Sequence, residues 1–125
     1  MFATLLQVAL GGALGASARY LTGVAALRLI GTGFPWATLF VNVAGSFLMG
    51  VLVIWFGHRD LTRLAPLLMT GLLGGFTTFS AFSLDAVSLW QGGDTTGATF
   101  YVGASVALSL AALFVGMSVA RGVLA

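Results

Sequence analysis

Gly71-Leu-Leu-Gly-Gly-Phe-Thr-Thr-Phe-Ser-Ala-Phe-Ser83 is the stretch on which the fold turns. It lies inside an apolar run from about Leu64 to Trp90 that carries no charge as far as Leu84. The run is long enough to cross a bilayer, which takes about 20 mostly apolar residues. Yet Gly74-Gly75, Thr77-Thr78, Ser80 and Ser83 interrupt it. Backbone at bilayer depth leaves the helix only where protein buries it or a watery cavity lines it. The spacing therefore predicts a broken third membrane helix, and a break of this kind points to a binding site. Phe76, Phe79 and Phe82 recur every three residues, which on a continuous helix places them near one face.

Working outward, four apolar segments are expected to span the membrane, at about residues 3–27, 36–57, 64–90 and 97–120. Together they make one membrane domain over residues 1–125, all-α in class. The connections are short: Gly31-Thr-Gly-Phe-Pro35, with Pro at the start of the second span, then His58-Arg-Asp-Leu-Thr-Arg63 and Gln91-Gly-Gly-Asp-Thr-Thr96. Nothing reads as a signal peptide, since no positive region precedes the first apolar stretch and no Ala-x-Ala-like cleavage site follows it.

Composition agrees. Charged residues are 6% of the chain and hydrophobic ones 59%, with mean hydropathy +1.09. Soluble domains average about 25% charged residues. There are five Arg, three Asp and one His, with no Lys, Glu or Cys. Disulfides and thiolate metal sites are thereby excluded, and lone His58 is a poor start for a histidine metal site. The arginines are dispersed, which argues against nucleic-acid binding. Arg59, Arg63 and Arg121 fall on the side of both termini and Arg28 opposite. The positive-inside rule then favours cytoplasmic termini by a narrow margin, a bias small enough to permit insertion both ways. Gly11/Gly15 and Gly71/Gly75, each four apart, fit the small-xxx-small packing pattern. Contacts within one subunit and contacts between subunits both remain open for them.

Three constellations could carry chemistry. Asn42, in the second span, offers two N–H donors and one acceptor; an interhelical hydrogen bond is the plainer use for it. Tyr101, Ser105 and Ser109 form an i, i+4, i+8 hydroxyl stripe in the fourth, unless the serines bond back to their own helix. Thr77, Thr78, Ser80 and Ser83 are interleaved with Phe79 and Phe82 in the third, and aromatic rings carry a positive edge. The middle of the spans holds no acid and no lysine, whereas a proton- or cation-coupled transporter normally uses an intramembrane carboxylate. Asp85 sits near the end of its span. The set suits a small inorganic anion, with neutral donors replacing its hydration shell. Arg19 is the only cation inside a span. It either draws anions into a vestibule, or snorkels or binds helix-end carbonyls.

These residues carry a resemblance. Gly11-Gly-Ala-Leu-Gly-Ala-Ser-Ala-Arg-Tyr20, Thr38-Leu-Phe-Val-Asn-Val-Ala-Gly-Ser-Phe47 and Gly74-Gly-Phe-Thr-Thr-Phe-Ser-Ala-Phe-Ser83, in that order, make the chain similar to the Fluc (CrcB-like) family of fluoride channels over essentially its whole length. The resemblance implies an antiparallel, dual-topology homodimer of four-span subunits in a bacterial-type inner membrane, with two fluoride pores at the interface. It places Asn42, Phe79 and Phe82 in the pore, with Thr78 and Ser80 beside them and Tyr101, Ser105 and Ser109 as a polar track. It also implies a central structural Na+ held by the backbone carbonyls of Gly74 and Thr77, and it gives Arg19 no clear role. One departure is Asp85, where the family often has Glu; its shorter side chain weakens any pore-edge role carried over to it.

The expected function is passive export of cytoplasmic fluoride, with no enzymatic activity. A small four-span drug/proton antiporter matches the length and charge bias, but normally requires a membrane-embedded Glu, which this chain lacks. A non-transporting membrane subunit would account for the glycines and leave the clustered polar groups without a purpose.

Overall fold

The computed structural model describes residues 1–124, all of them helical or in short connections. Helix α1 covers Phe2–Leu29 and α2 covers Trp36–Arg59. A single 3-10 turn, Thr62–Leu64, leads into a π-helical segment, Pro66–Leu73, and a last α-helical turn, α3, at Gly74–Phe76. Helix α4 covers Phe79–Gln91 and α5 covers Thr95–Leu124.

Among the described residues, three stretches are long and apolar enough to cross a membrane: Trp36–Arg59, Thr62–Gln91 and Thr95–Leu124. The shortest has 24 residues, or roughly 36 Å at 1.5 Å rise per residue, against a hydrocarbon core of about 30 Å. This is a multi-pass membrane protein. Helix α1, at 28 residues, matches them in length, but Gln7, Arg19 and its four glycines dilute its apolar character.

Local chemistry explains the ends. Gly31 and Gly33, at φ +97° and +112°, make the turn from α1 to α2. Helix α2 runs on through His58 and Arg59, beyond the expected end at 57, and stops where Asp60 turns left-handed at φ 56°. Asp94 opens α5, its Oδ1 accepting the Gly97 N–H at 2.8 Å.

Packing divides the chain into two associations. Helix α1 lies along Pro66–Phe76, while α5 packs on α2 and α4. The first contact is made by the glycine pairs. A methyl added at Gly15 would land on the Leu72 carbonyl oxygen, and one at Gly75 would come within 2.8 Å of the Gly12 oxygen. Gly11 is held as closely against Leu67 and Gly71. Both pairs therefore pack helices within one chain, which decides between the two uses left open above. Gly50 and Gly116 do the same for α2 against α5, facing the Leu113 and Phe47 carbonyls. The compact core is small, centred on Leu39, Phe82 and Tyr101. Leu10, Leu14, Leu21, Phe40, Phe100 and Phe114 are exposed, as expected of side chains solvated by lipid.

Candidate functional site

The break falls at Thr77 and Thr78, whose backbones are both extended (ψ 158° and 119°). Two halves of one span thus meet end to end, Phe76 closing the first and Phe79 opening the second. This corrects the expectation that Phe76, Phe79 and Phe82 share a face: helical periodicity does not carry across extended residues. Phe76 packs toward Gly45 instead, and only Phe79 and Phe82 are neighbours, with ring centroids 5.4 Å apart.

Four side chains hold the break. Asn42 Nδ2 donates to the Thr78 carbonyl at 3.0 Å, and the Thr78 N–H donates to Asn42 Oδ1 at 2.8 Å. The amide thus mimics a neighbouring peptide group, satisfying backbone that the helix has abandoned. Thr78 Oγ1 caps α4 by accepting the Ala81 N–H at 3.1 Å, the usual role of an N-cap threonine. Thr77 Oγ1 donates back to the Leu73 carbonyl at 2.8 Å. Arg19 Nε donates to the Gly75 carbonyl at 3.0 Å. Of the roles open to Arg19, the structure shows the helix-end contact: a cation at the C-terminal, negative end of a half-helix is favourably placed.

These bonds redistribute the backbone acceptors. In an unbroken helix the Gly74 carbonyl would take the Thr78 N–H, and the Thr77 carbonyl would take the Ala81 N–H. Asn42 and Thr78 Oγ1 have claimed those two donors. Gly74 is exposed, and Thr77 is half-buried.

Beside the break, a groove of about 400 Å³ opens between α2, α4 and α5. Asn42 and Ser46 from α2, Thr77, Thr78, Phe79 and Phe82 from the break, and Ser105 and Ser109 from α5 line it. No Arg, Asp or His is among its lining residues. Asn42 has one N–H left after bridging Thr78. Ser105 is 5% exposed, and its Oγ has no hydrogen-bond partner among the described residues. Ser46 and Ser109 likewise make no bond back to their own helix, whereas Thr22, Ser83 and Thr99 each donate to the carbonyl four residues earlier. The amino end of α4 also opens on the groove at Thr78 and Phe79, bringing unpaired N–H groups and the positive end of the helix dipole.

The other candidates lie nearby without lining the groove. Tyr101 is fully buried (0% exposed). Its ring sits 5.3 Å from that of Phe82 and edge-on to Phe34 at 5.5 Å, and its hydroxyl donates to Asp85 Oδ2 at 3.2 Å. The expected three-member hydroxyl stripe therefore splits: two serines face the groove, while the tyrosine braces Phe82 from behind. Ser80 exchanges a hydrogen bond with Thr78 Oγ1 at 3.3 Å on the exposed side. Asp85 reaches the wall of a second hollow of about 400 Å³ at the α1–α2 turn. Ser46 was not singled out from the sequence, although its position four residues after Asn42 marks it as sharing that residue's face.

Long apolar helices, one of them broken around a groove of uncharged hydrogen-bond donors, define a membrane protein whose site is built on a discontinuous span. The chain belongs to the CrcB-like family: residues 6–117 match the family described as CrcB-like protein, Camphor Resistance (CrcB). Curated relatives agree over nearly full length. The chain is 64% identical to a protein of Cereibacter sphaeroides named fluoride-specific ion channel FluC, over 98% of each chain. Proteins of the same name from Ruegeria sp. and Paracoccus denitrificans are 58% and 55% identical, over 99% and 98% of each chain.

Proposed function

We propose that this chain is the subunit of a passive, fluoride-selective channel of a bacterial inner membrane. The observation that carries the reading is the groove. The Ser105 hydroxyl, buried and without a partner among the described residues, and the spare Asn42 N–H converge there beside Ser109, and a buried hydroxyl left so costs about 1–3 kcal/mol. An anion accepting from them recovers that cost. The amino end of α4 adds favourable potential, and the Phe79 and Phe82 rings offer positive edges. The curated relatives' name supplies the identity of the anion. Hydrogen fluoride crosses bilayers neutral, ionises inside and is trapped as fluoride; a passive path returns it down its electrochemical gradient.

The groove is open along one side in a single chain, and Phe79 beside it is 77% exposed. A second copy of the chain, inserted antiparallel with α1 as a fourth span in each subunit, would close it into a pore and create a second by symmetry. The Gly74 and Thr77 carbonyls, deprived of their helical donors, are a fitting oxygen set for a hard cation. With their copies from the partner they would hold a structural Na+, which would supply positive charge where the carboxyl ends of two half-helices meet. A higher melting temperature of the detergent-solubilised dimer in sodium chloride than in choline chloride is the expected sign, and equal values would remove the ion from the reading.

The deciding experiment is efflux from liposomes holding only this protein, followed with fluoride- and chloride-selective electrodes. Rapid fluoride release without chloride release is expected. A folded preparation that releases neither would overturn the channel reading.

A further inference from the structure

We infer that Ser46 is an anion-contacting residue of the pathway, donating its hydroxyl from α2 as the counterpart of Ser109 on α5. The inference rests on the channel reading above and extends it to a side chain outside the asparagine, the phenylalanines and the α5 hydroxyls.

Ser46 stands one turn beyond Asn42 and lines the same groove. It is half-buried in the middle of α2, where water is scarce and a hydroxyl normally turns back on the carbonyl four residues earlier. That is the course taken by Thr22, Thr77, Ser83 and Thr99; Ser46 does not take it, nor do Ser105 and Ser109 on the same groove or Ser17, Ser88 and Ser118 away from it. Its helix cannot rotate to hide it, because Gly45 presses on Thr77 Cγ2 and Gly50 on the Leu113 carbonyl. Position 46 is thereby fixed on the groove wall.

The neighbouring lining gives Ser46 its place. The face that carries Ser105 and Ser109 continues at the same spacing to Leu113, and the face that carries Asn42 and Ser46 continues to Met49. Leu113, Met49 and Leu110 line the groove as well. The polar lining therefore ends at the level of Ser46 and Ser109, and an apolar collar follows. An ion passing that collar surrenders its remaining water, so the last donors before it carry the most weight. Ser109 alone covers one wall; Ser46 supplies the other.

The test uses the intact chain reconstituted in liposomes. Ser46→Ala is expected to slow fluoride efflux about tenfold, the equivalent of one hydrogen bond to a charged partner, with the melting temperature unchanged; Ser46→Thr, which keeps the hydroxyl, should stay within about threefold of the parent. Because the chain has no cysteine, Ser46→Cys gives a second readout that survives if the alanine variant folds poorly. Silver ion should block efflux through Ser46→Cys and leave the parent and Ser118→Cys, exposed on α5, unaffected. Unchanged efflux in Ser46→Ala, or a silver-insensitive Ser46→Cys, alongside a conducting parent would overturn the inference and leave the channel reading standing. A parent that does not conduct would overturn both.

Discussion

Replacing Asn42 by Ala tests how the broken span is held. The variant removes a bidentate contact, Nδ2 to the Thr78 carbonyl at 3.0 Å and the Thr78 N–H to Oδ1 at 2.8 Å. Both backbone groups lie at a point where the helix provides no alternative partner. Leaving a buried polar group unsatisfied costs about 1–3 kcal/mol. The site is partly buried, so some water reaches it, and two groups together should cost about 2–4 kcal/mol. At 1.4 kcal/mol per factor of ten, that is about 30- to 700-fold in the local opening equilibrium. Amide exchange at Thr78 should accelerate by that factor, with smaller changes in α2 and α5, and fluoride efflux should fall well beyond tenfold as the donors scatter. The assay is hydrogen exchange read by mass spectrometry on peptides covering Thr77–Ala81, paired with efflux. Exchange unchanged within threefold in a folded Asn42→Ala protein would refute the claim that this amide holds the break. Asn42→Asp sharpens the reading: it can still accept from the Thr78 N–H but cannot donate to the carbonyl, and it brings negative charge to the groove. It should therefore retain more protection than alanine while conducting no better.

Ser105→Ala should separate folding from transport: deleting a partnerless buried hydroxyl leaves stability unchanged or slightly raised, as read by thermal unfolding, while efflux falls about tenfold for one lost hydrogen bond. Gly15→Ala drives a methyl onto the Leu72 carbonyl and should destabilise the chain by about 1–3 kcal/mol, measured by thermal or denaturant unfolding in detergent, whereas Gly12→Ala, which meets nothing within 4 Å, should be neutral. Arg19→Leu removes the donor to the Gly75 carbonyl and should cost about 1.5–3 kcal/mol, seen as faster amide exchange in Gly74–Thr78; equal exchange would place its role elsewhere. Phe79→Ile and Phe82→Ile should each suppress fluoride efflux while the protein still elutes on size exclusion as the parent does, and unchanged efflux in both would remove the rings from the pathway.

The sequence by itself settled what local chemistry controls. Apolar length and the near absence of charge required membrane spans, because the bilayer accepts little else. The glycine and threonine pairs pointed to a break, because they interrupt an apolar run that would otherwise make one continuous membrane helix. Where the second half-helix opens, at Phe79 behind its Thr78 cap, only the structure showed. The tertiary structure decided everything that rests on residues distant in sequence. Asn42 and Thr78 are 36 positions apart, and no local pattern shows that the amide's first duty is to the backbone of the break. The glycine pairs read alike for packing inside or between subunits until α1 was seen against Pro66–Phe76. Periodicity grouped Tyr101 with Ser105 and Ser109, yet the carboxylate of Asp85, on another helix, takes the tyrosine hydroxyl. It grouped Phe76 with Phe79 and Phe82, yet a helical repeat has no meaning across extended residues. Ser46 was overlooked for the complementary reason. A single serine in an apolar helix looks satisfied by its own backbone, and only the close approach of α2 to the break and to α5 shows that its hydroxyl faces an open groove instead.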